Sequence, residues 1–299
     1  EGLKRNRIYS YEIQSVVNGK AGVTREFECD TFFDYTVPVG NRSHSLGKDA
    51  EQSSKQADVV LRKARVDRGV GLVVGLKDGK LVRSLCRNSD LRIVAVDDDE
   101  LRVMAVRESL NGLYGVRLTV HYVDDLNSLP FVGHFANLVT TERSLTDGLP
   151  STLQNVVKQL RPDGGVAVFG EPTVDGATAL SVEQRADLSG KLHTSTATKL
   201  KEIIDSTFVD DSDGVWITLR TNAWQGTGEW SHLYGSTDNS AFAGESLSGV
   251  RSREDLTVQW VGRPGPRYQA DRSGRKPSPL AVGGRLFLQG LERIVALDS

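Results

Sequence analysis

The chain of 299 residues can form one large domain or two ordinary ones, and 37 Lys and Arg against 39 Asp and Glu leave a formal charge of -2 at pH 7. That balance gives no electrostatic reason to expect a polyanionic partner, so nucleic acid is disfavoured. Cys29 and Cys86 form neither a C-x-x-C pair nor a disulfide framework, no apolar run nears the roughly 18 residues of a membrane span, and the opening EGLKRNRIYS has no apolar signal core, which leaves cytoplasm and periplasm both open.

Residues 1–48 combine a candidate strand, IYSYEIQSVV, with polar turns and carry no functional signal. From Asp49 to Arg68 helix formers predominate, and Ala57, Val60, Leu61 and Ala64 share one stripe, which predicts a helix leading into the first strand. Short apolar runs then alternate with helical patterns: GVGLVV, KLVRSLCRN, LRIVAV, ELRVMAVRESL, VRLTVHYV, ANLVTT, STLQNVVKQL and VAVF. Such alternation predicts a parallel sheet wound by right-handed crossovers, with strands apolar on both faces. Residues 49–222 are therefore expected to be an α/β, Rossmann-like unit with flanking helices, including helical stretches near 181–206 and a late strand, GVWITLR. In residues 223–299 strand-like runs (LTVQWVG, PLAVGGRLFLQG, RIVAL) alternate with turns, and Val282-Gly283-Gly284-Arg285 suits a two-residue hairpin. This tail reads as a short all-β segment.

Ligands of open parallel sheets bind beyond the carboxyl ends of the strands, so the first strand–helix loop is the first candidate site. Gly75 and Gly79 bracket it with G-x-x-x-G spacing, not the G-x-G-x-x-G fingerprint, and Lys77 stands at its centre. Asp97, with Asp98 beside it, ends the second strand eighteen residues past Gly79; its carboxylate either accepts from both ribose hydroxyls or caps the next helix. Asp124 and Asp125 end the third strand, where an acid meets an adenine amino group or closes a solvated turn. Cys86 reads as a buried, inert thiol and His121 as packed or solvent-facing, while His134, Glu142 and Glu171 are candidates for a general base. The five histidines are scattered, with no zinc spacing, and no G-x-S-x-G elbow is present. Residues 251–276 hold seven Lys and Arg against three Asp and Glu, which a solvated loop explains.

In this order and spacing the residues resemble the class I S-adenosylmethionine-dependent methyltransferases, across roughly residues 55–222. VVGLKDGKL is similar to their glycine-rich first motif, VAVDDD to the ribose motif, DDLNSLPF to the adenine motif, and QLRPDGGVAVF to the helix, turn and strand after the fourth strand. The resemblance implies S-adenosylmethionine as a small-molecule cofactor, held by Gly75, Lys77, Gly79, Asp97, Asp98, Asp124 and Asp125. It implies methyl transfer driven by proximity and orientation to an unassigned acceptor. An N-P-P-Y-type segment is absent, which disfavours a base amino group as that acceptor. The pattern departs from the family at Val73, where an acid is frequent, at Lys77 in place of the middle glycine, and at Asn137, where the fourth strand usually has aspartate. These departures favour the alternative of a non-catalytic Rossmann-like scaffold. The stretches GEWSHLYGSTDNSAFAGESL, LTVQWVGRPGPR and PLAVGGRLFLQGLERIVALD resemble the start of a pyrroloquinoline quinone repeat β-propeller. That second resemblance implies a quinone site in a complete propeller, a propeller surface for a protein partner, and a multidomain bacterial setting.

Overall fold

In the computed structural model, which describes residues 8–30, 50–110, 112–115, 117–172, 180–196, 204–224, 226–246, 252–253, 279–289 and 294–298, the chain opens with an antiparallel hairpin. It joins β1 (Ile8–Val17) to β2 (Lys20–Asp30), and Asn18 and Gly19 turn it with φ of 51° and 74°. Helix α1 (Ala50–Ala64) follows, and the expected stripe is its buried face: Ala57, Val60 and Ala64 are at most 1% exposed.

The central sheet alternates with helices: β3 (Arg68–Val74), α2 (Lys80–Asn88), β4 (Asp90–Asp97), α3 (Glu100–Ser109), β5 (Leu118–Tyr122), β6 (Leu138–Thr140), α4 (Leu153–Gln159), β7 (Val166–Pro172), α5 (Val182–Thr196), β8 (Ile204–Asp211) and β9 (Gly214–Thr221). The sheet order is β5-β4-β3-β6-β7-β9-β8; β9 runs antiparallel to both neighbours, and every other pairing is parallel. This is a Rossmann-like α/β fold, a parallel sheet with one reversed strand near its edge. Period-two alternation sends successive side chains into two cores. Val73, Ala95, Val120, Val168 and Trp216 pack with α1, α2 and α3 on one side; Leu72, Val74, Val96, Phe169 and Ile217 pack with α4 and α5 on the other. Both faces of the sheet are covered, as a parallel sheet requires.

The helical pattern near 181–206 stops at Thr196, and Ile204–Asp211 is a strand instead. Residues of this segment have mixed propensity, and the continuous register with β9, from Ile204↔Thr221 to Asp211↔Gly214, decides in favour of sheet.

In the tail, β10 (Leu280–Val282), β11 (Arg285–Gln289) and β12 (Ile294–Asp298) form an antiparallel meander. Gly283 and Gly284 turn its first hairpin with φ of 56° and 69°, as expected of that dipeptide. Trp230 lies against the free side of β10, exchanging two backbone hydrogen bonds with Ala281 at 2.8 and 2.9 Å. The run LTVQWVG lies outside the described residues. Among the described residues no helix is long and apolar enough to cross a membrane.

Candidate functional site

The strand order reverses between β3 and β6, so the loops after β3, β4 and β6 meet at the carboxyl edge of the sheet, where such folds bind ligands. The first loop turns sharply because Gly75 and Gly79 both take left-handed backbone conformations, at φ of 83° and 77°, which side chains disfavour. Gly79 is also the N-cap of α2 and offers no side chain to its first turn. Glu142, two residues past β6, takes over that role. Its Oε2 accepts from the N–H groups of Lys77 and Gly79, both at 2.9 Å, and its Oε1 from the N–H of Val82 at 3.0 Å. The Glu142 N–H in turn donates to the Gly75 carbonyl at 3.0 Å. Burial pushes the Glu142 carboxyl above the usual carboxylate range, against the opposing pull of the three donors.

Asp97 closes β4 and is 0% exposed. Its Oδ2 accepts from the Leu76 N–H at 2.5 Å and from Arg143 Nη2 at 3.0 Å; its Oδ1 accepts from the Asp99 N–H at 2.9 Å and from Arg102 Nη1 at 2.8 Å. A carboxylate offers about four acceptor positions, so this one is saturated. Arg143 also pairs with Asp98. Burial is the largest single influence on the Asp98 carboxyl and raises it, but the Arg143 guanidinium, a backbone hydrogen bond and the charge of Arg102 together outweigh it and hold the group below its usual range. The Arg143 stem crosses the loop so closely that a Cβ on Gly75 would lie 2.8 Å from its Cδ and 2.9 Å from its Nε. The close approach that a glycine permits is therefore made, in this conformation, by the protein's own arginine.

The remaining sequence candidates separate into two groups. Lys77 is exposed, while its neighbours pair with each other, Lys80 with Asp78 at 3.1 Å. Helix capping falls to Asp99, whose side chain accepts from the Arg102 N–H, and not to Asp97. Asp124 and Asp125 are exposed beyond β5; Asp124 accepts from the Tyr122 hydroxyl and, through that bond and its charge, raises that phenol's pKa, and Asp125 closes a turn by accepting from the Asn127 N–H at 2.8 Å. Glu171, at the end of β7, accepts from the Leu145 N–H. Asn137 stands just ahead of β6, where the fourth strand was expected to begin, whereas His134, expected near the carboxyl-end loops, does not reach them. Both precede β6, at the amino edge of the sheet: Asn137 Oδ1 accepts from the Val70 N–H at 2.9 Å, tying β6 to β3. His134 stacks edge-on against Trp224 at 4.7 Å in a cavity of about 200 Å³ also lined by Val157 and Lys158, where burial pushes its imidazole pKa down. Cys86 is buried, and His121 is exposed on β5. Among the described residues no cluster of three or more His, Cys, Asp or Glu side chains is placed to hold a metal ion.

Arg102 and Arg143 were not among the sequence candidates. The one signal for them was the crowding of acids in VAVDDDE, which demands counter-charges without naming them.

Comparison with solved structures finds methyltransferases. A SAM-dependent methyltransferase from Aquifex aeolicus is 14% identical over 57% of this chain and 92% of its own, with a TM-score of 0.44. An O-methyltransferase from Bacillus cereus, solved in complex with SAH, is 13% identical over 60% and 83%, with a TM-score of 0.39. A tRNA methyltransferase from Aquifex aeolicus is 11% identical over 74% and 99%, with a TM-score of 0.40. No protein-family model and no curated protein matches the chain.

Proposed function

We propose that the crevice over β3 and β4 is the cofactor site of an S-adenosylmethionine-dependent methyltransferase whose acceptor is unassigned. The observation that carries this reading is the placement of Asp97: a carboxylate at the end of β4, bonded to the Leu76 N–H of the glycine loop. A ribose hydroxyl pair presented at that point would reach both the acid and the loop. The donor set fits the cofactor on one condition, that the two guanidinium bonds to Asp97 give way to the ribose. Asp97 would then hold the sugar, Gly75 would admit it closely, and Asp124 or Asp125 would face the adenine amino group. When bound, the cofactor supplies an electrophilic methyl on its sulfonium. The protein's contribution is to fix that methyl in line with an acceptor and to exclude water. Glu142 and Glu171, the two glutamates considered as general bases, are engaged by backbone N–H groups, so neither is assigned as a base.

A second reading, a non-catalytic scaffold, is favoured by Glu142. The amides of Lys77, Gly79 and Val82, which would otherwise receive an anionic part of a ligand, already hold its carboxylate. Calorimetric titration with S-adenosylmethionine and S-adenosylhomocysteine separates the two. Saturable heat that disappears in Asp97→Asn, with the fold verified by circular dichroism, is the expected result; no heat up to millimolar ligand establishes the scaffold.

We also read residues 223–299 as the opening of a β-propeller joined to the α/β unit of 49–222. The meander β10–β12, extended by Trp230 alongside β10, supports it, since propeller blades are four-stranded antiparallel sheets. Quinone binding would belong to a complete propeller.

A further inference from the structure

The four bonds to Asp97 are of two kinds. Two come from backbone amides, Leu76 and Asp99, fixed by the loop and by the turn into α3. Two come from guanidinium groups of side chains that remain 32% and 29% exposed, those of Arg102 and Arg143. A nucleoside with free vicinal ribose hydroxyls also brings two donors, so it can replace the guanidinium pair one for one while both amide bonds persist. The two arginines are not equivalent. Arg102 rises from α3 and remains paired with Asp99 at 3.2 Å. Arg143 lies across Gly75, where the sugar must enter, and has a second anchor in Asp98.

Resting on the cofactor-site reading above, we infer that Arg143 is a latch: it occupies the ribose position on Asp97 and moves aside, still paired with Asp98, when a vicinal diol arrives. The closed state binds no nucleoside, so the apparent affinity is the intrinsic affinity reduced by the fraction of molecules with the latch open. The arrangement selects for ligands whose sugar has both hydroxyls free, because a ligand with fewer donors leaves an acceptor position of a buried carboxylate unmatched.

The latch makes a prediction that a merely structural arginine does not. Arg143→Ala should lower the melting temperature, because it removes a partner of buried Asp97, and yet tighten S-adenosylhomocysteine binding by about tenfold or more, because nothing then lies across Gly75 where the sugar enters. Titration calorimetry on wild type and Arg143→Ala, with thermal melts of both, reads the two effects together. Tighter binding with lower stability is the expected outcome. Should wild type bind and Arg143→Ala bind equally or more weakly, the latch is overturned while the cofactor site stands. Absence of binding in wild type and variant alike removes the site and the latch with it. If Arg143→Ala does not fold, Arg143→Gln, which keeps part of the stem, takes its place with the same signs expected and a smaller gain.

Discussion

Cys86 shows how far burial alone sets the chemistry of one residue. It is 3% exposed on the buried face of α2, and burial, partly countered by the charge of Arg117, pushes its thiol up to about 12. An unfolded thiol ionises near about 8.5, so the native state holds the proton more tightly. The stability this contributes is complete below that value and is lost as pH rises from there toward 12. Alkylation at pH 8 should accordingly label Cys86 in denaturant and leave it unmodified in the native protein, as peptide mass spectrometry would read. That inertness was legible from position on an amphipathic helix. The state of Asp97 was legible only in part: a strand-end acid after a glycine loop marks the location, but one of its partners, Arg143, lies 46 residues away. Nothing in a local pattern specifies which distant cation arrives there. His134 was misplaced for a related reason: it comes four residues ahead of β6, and the sequence does not show which edge of the sheet that segment runs along.

At the scale of elements, α2 and α3 solve the same problem differently. The first-turn amides of a helix lack intrahelical partners. Asp99 satisfies one for α3 with its own side chain, whereas α2 begins at a glycine and takes its acceptor from beyond β6. Asp99→Ala should cost about 1 kcal/mol in denaturant midpoint analysis. The bond from the Asp99 amide to Asp97 survives the substitution, while the ion pair with Arg102 is lost. Most elements of the α/β unit were readable from apolar runs alternating with amphipathic stretches. Strand β8 was not. IDSTFVDD has neither a strict period of two nor a long apolar run, and its pairing with β9 is what makes it sheet.

Across the whole molecule, burial is distributed unevenly. The strands β3, β4, β6, β7 and β9 lie between two cores, whereas in the β1–β2 hairpin Tyr11, Ile13, Val16, Val17, Val23 and Phe27 are each at least 40% exposed. An isolated two-stranded hairpin is marginal in water. Hydrogen exchange should therefore show the amides of β1 and β2 opening roughly 100-fold or more faster than those of β3 and β4, with local opening in the hairpin and global unfolding in the sheet. Equal protection in both would mean that the hairpin is held by the rest of the fold more firmly than its exposure allows.

The carboxylate that completes α2 also has a bearing on the order of assembly. Glu142 follows the first loop by about 60 residues, so the loop amides stay unpaired until β6 has docked beside β3. The mouth of the crevice is thus a non-local feature, formed after local helices and completed when chain closure is already paid for. Interactions of this kind, absent from an early folding nucleus, act on how slowly the native state comes apart and hardly on how fast it forms.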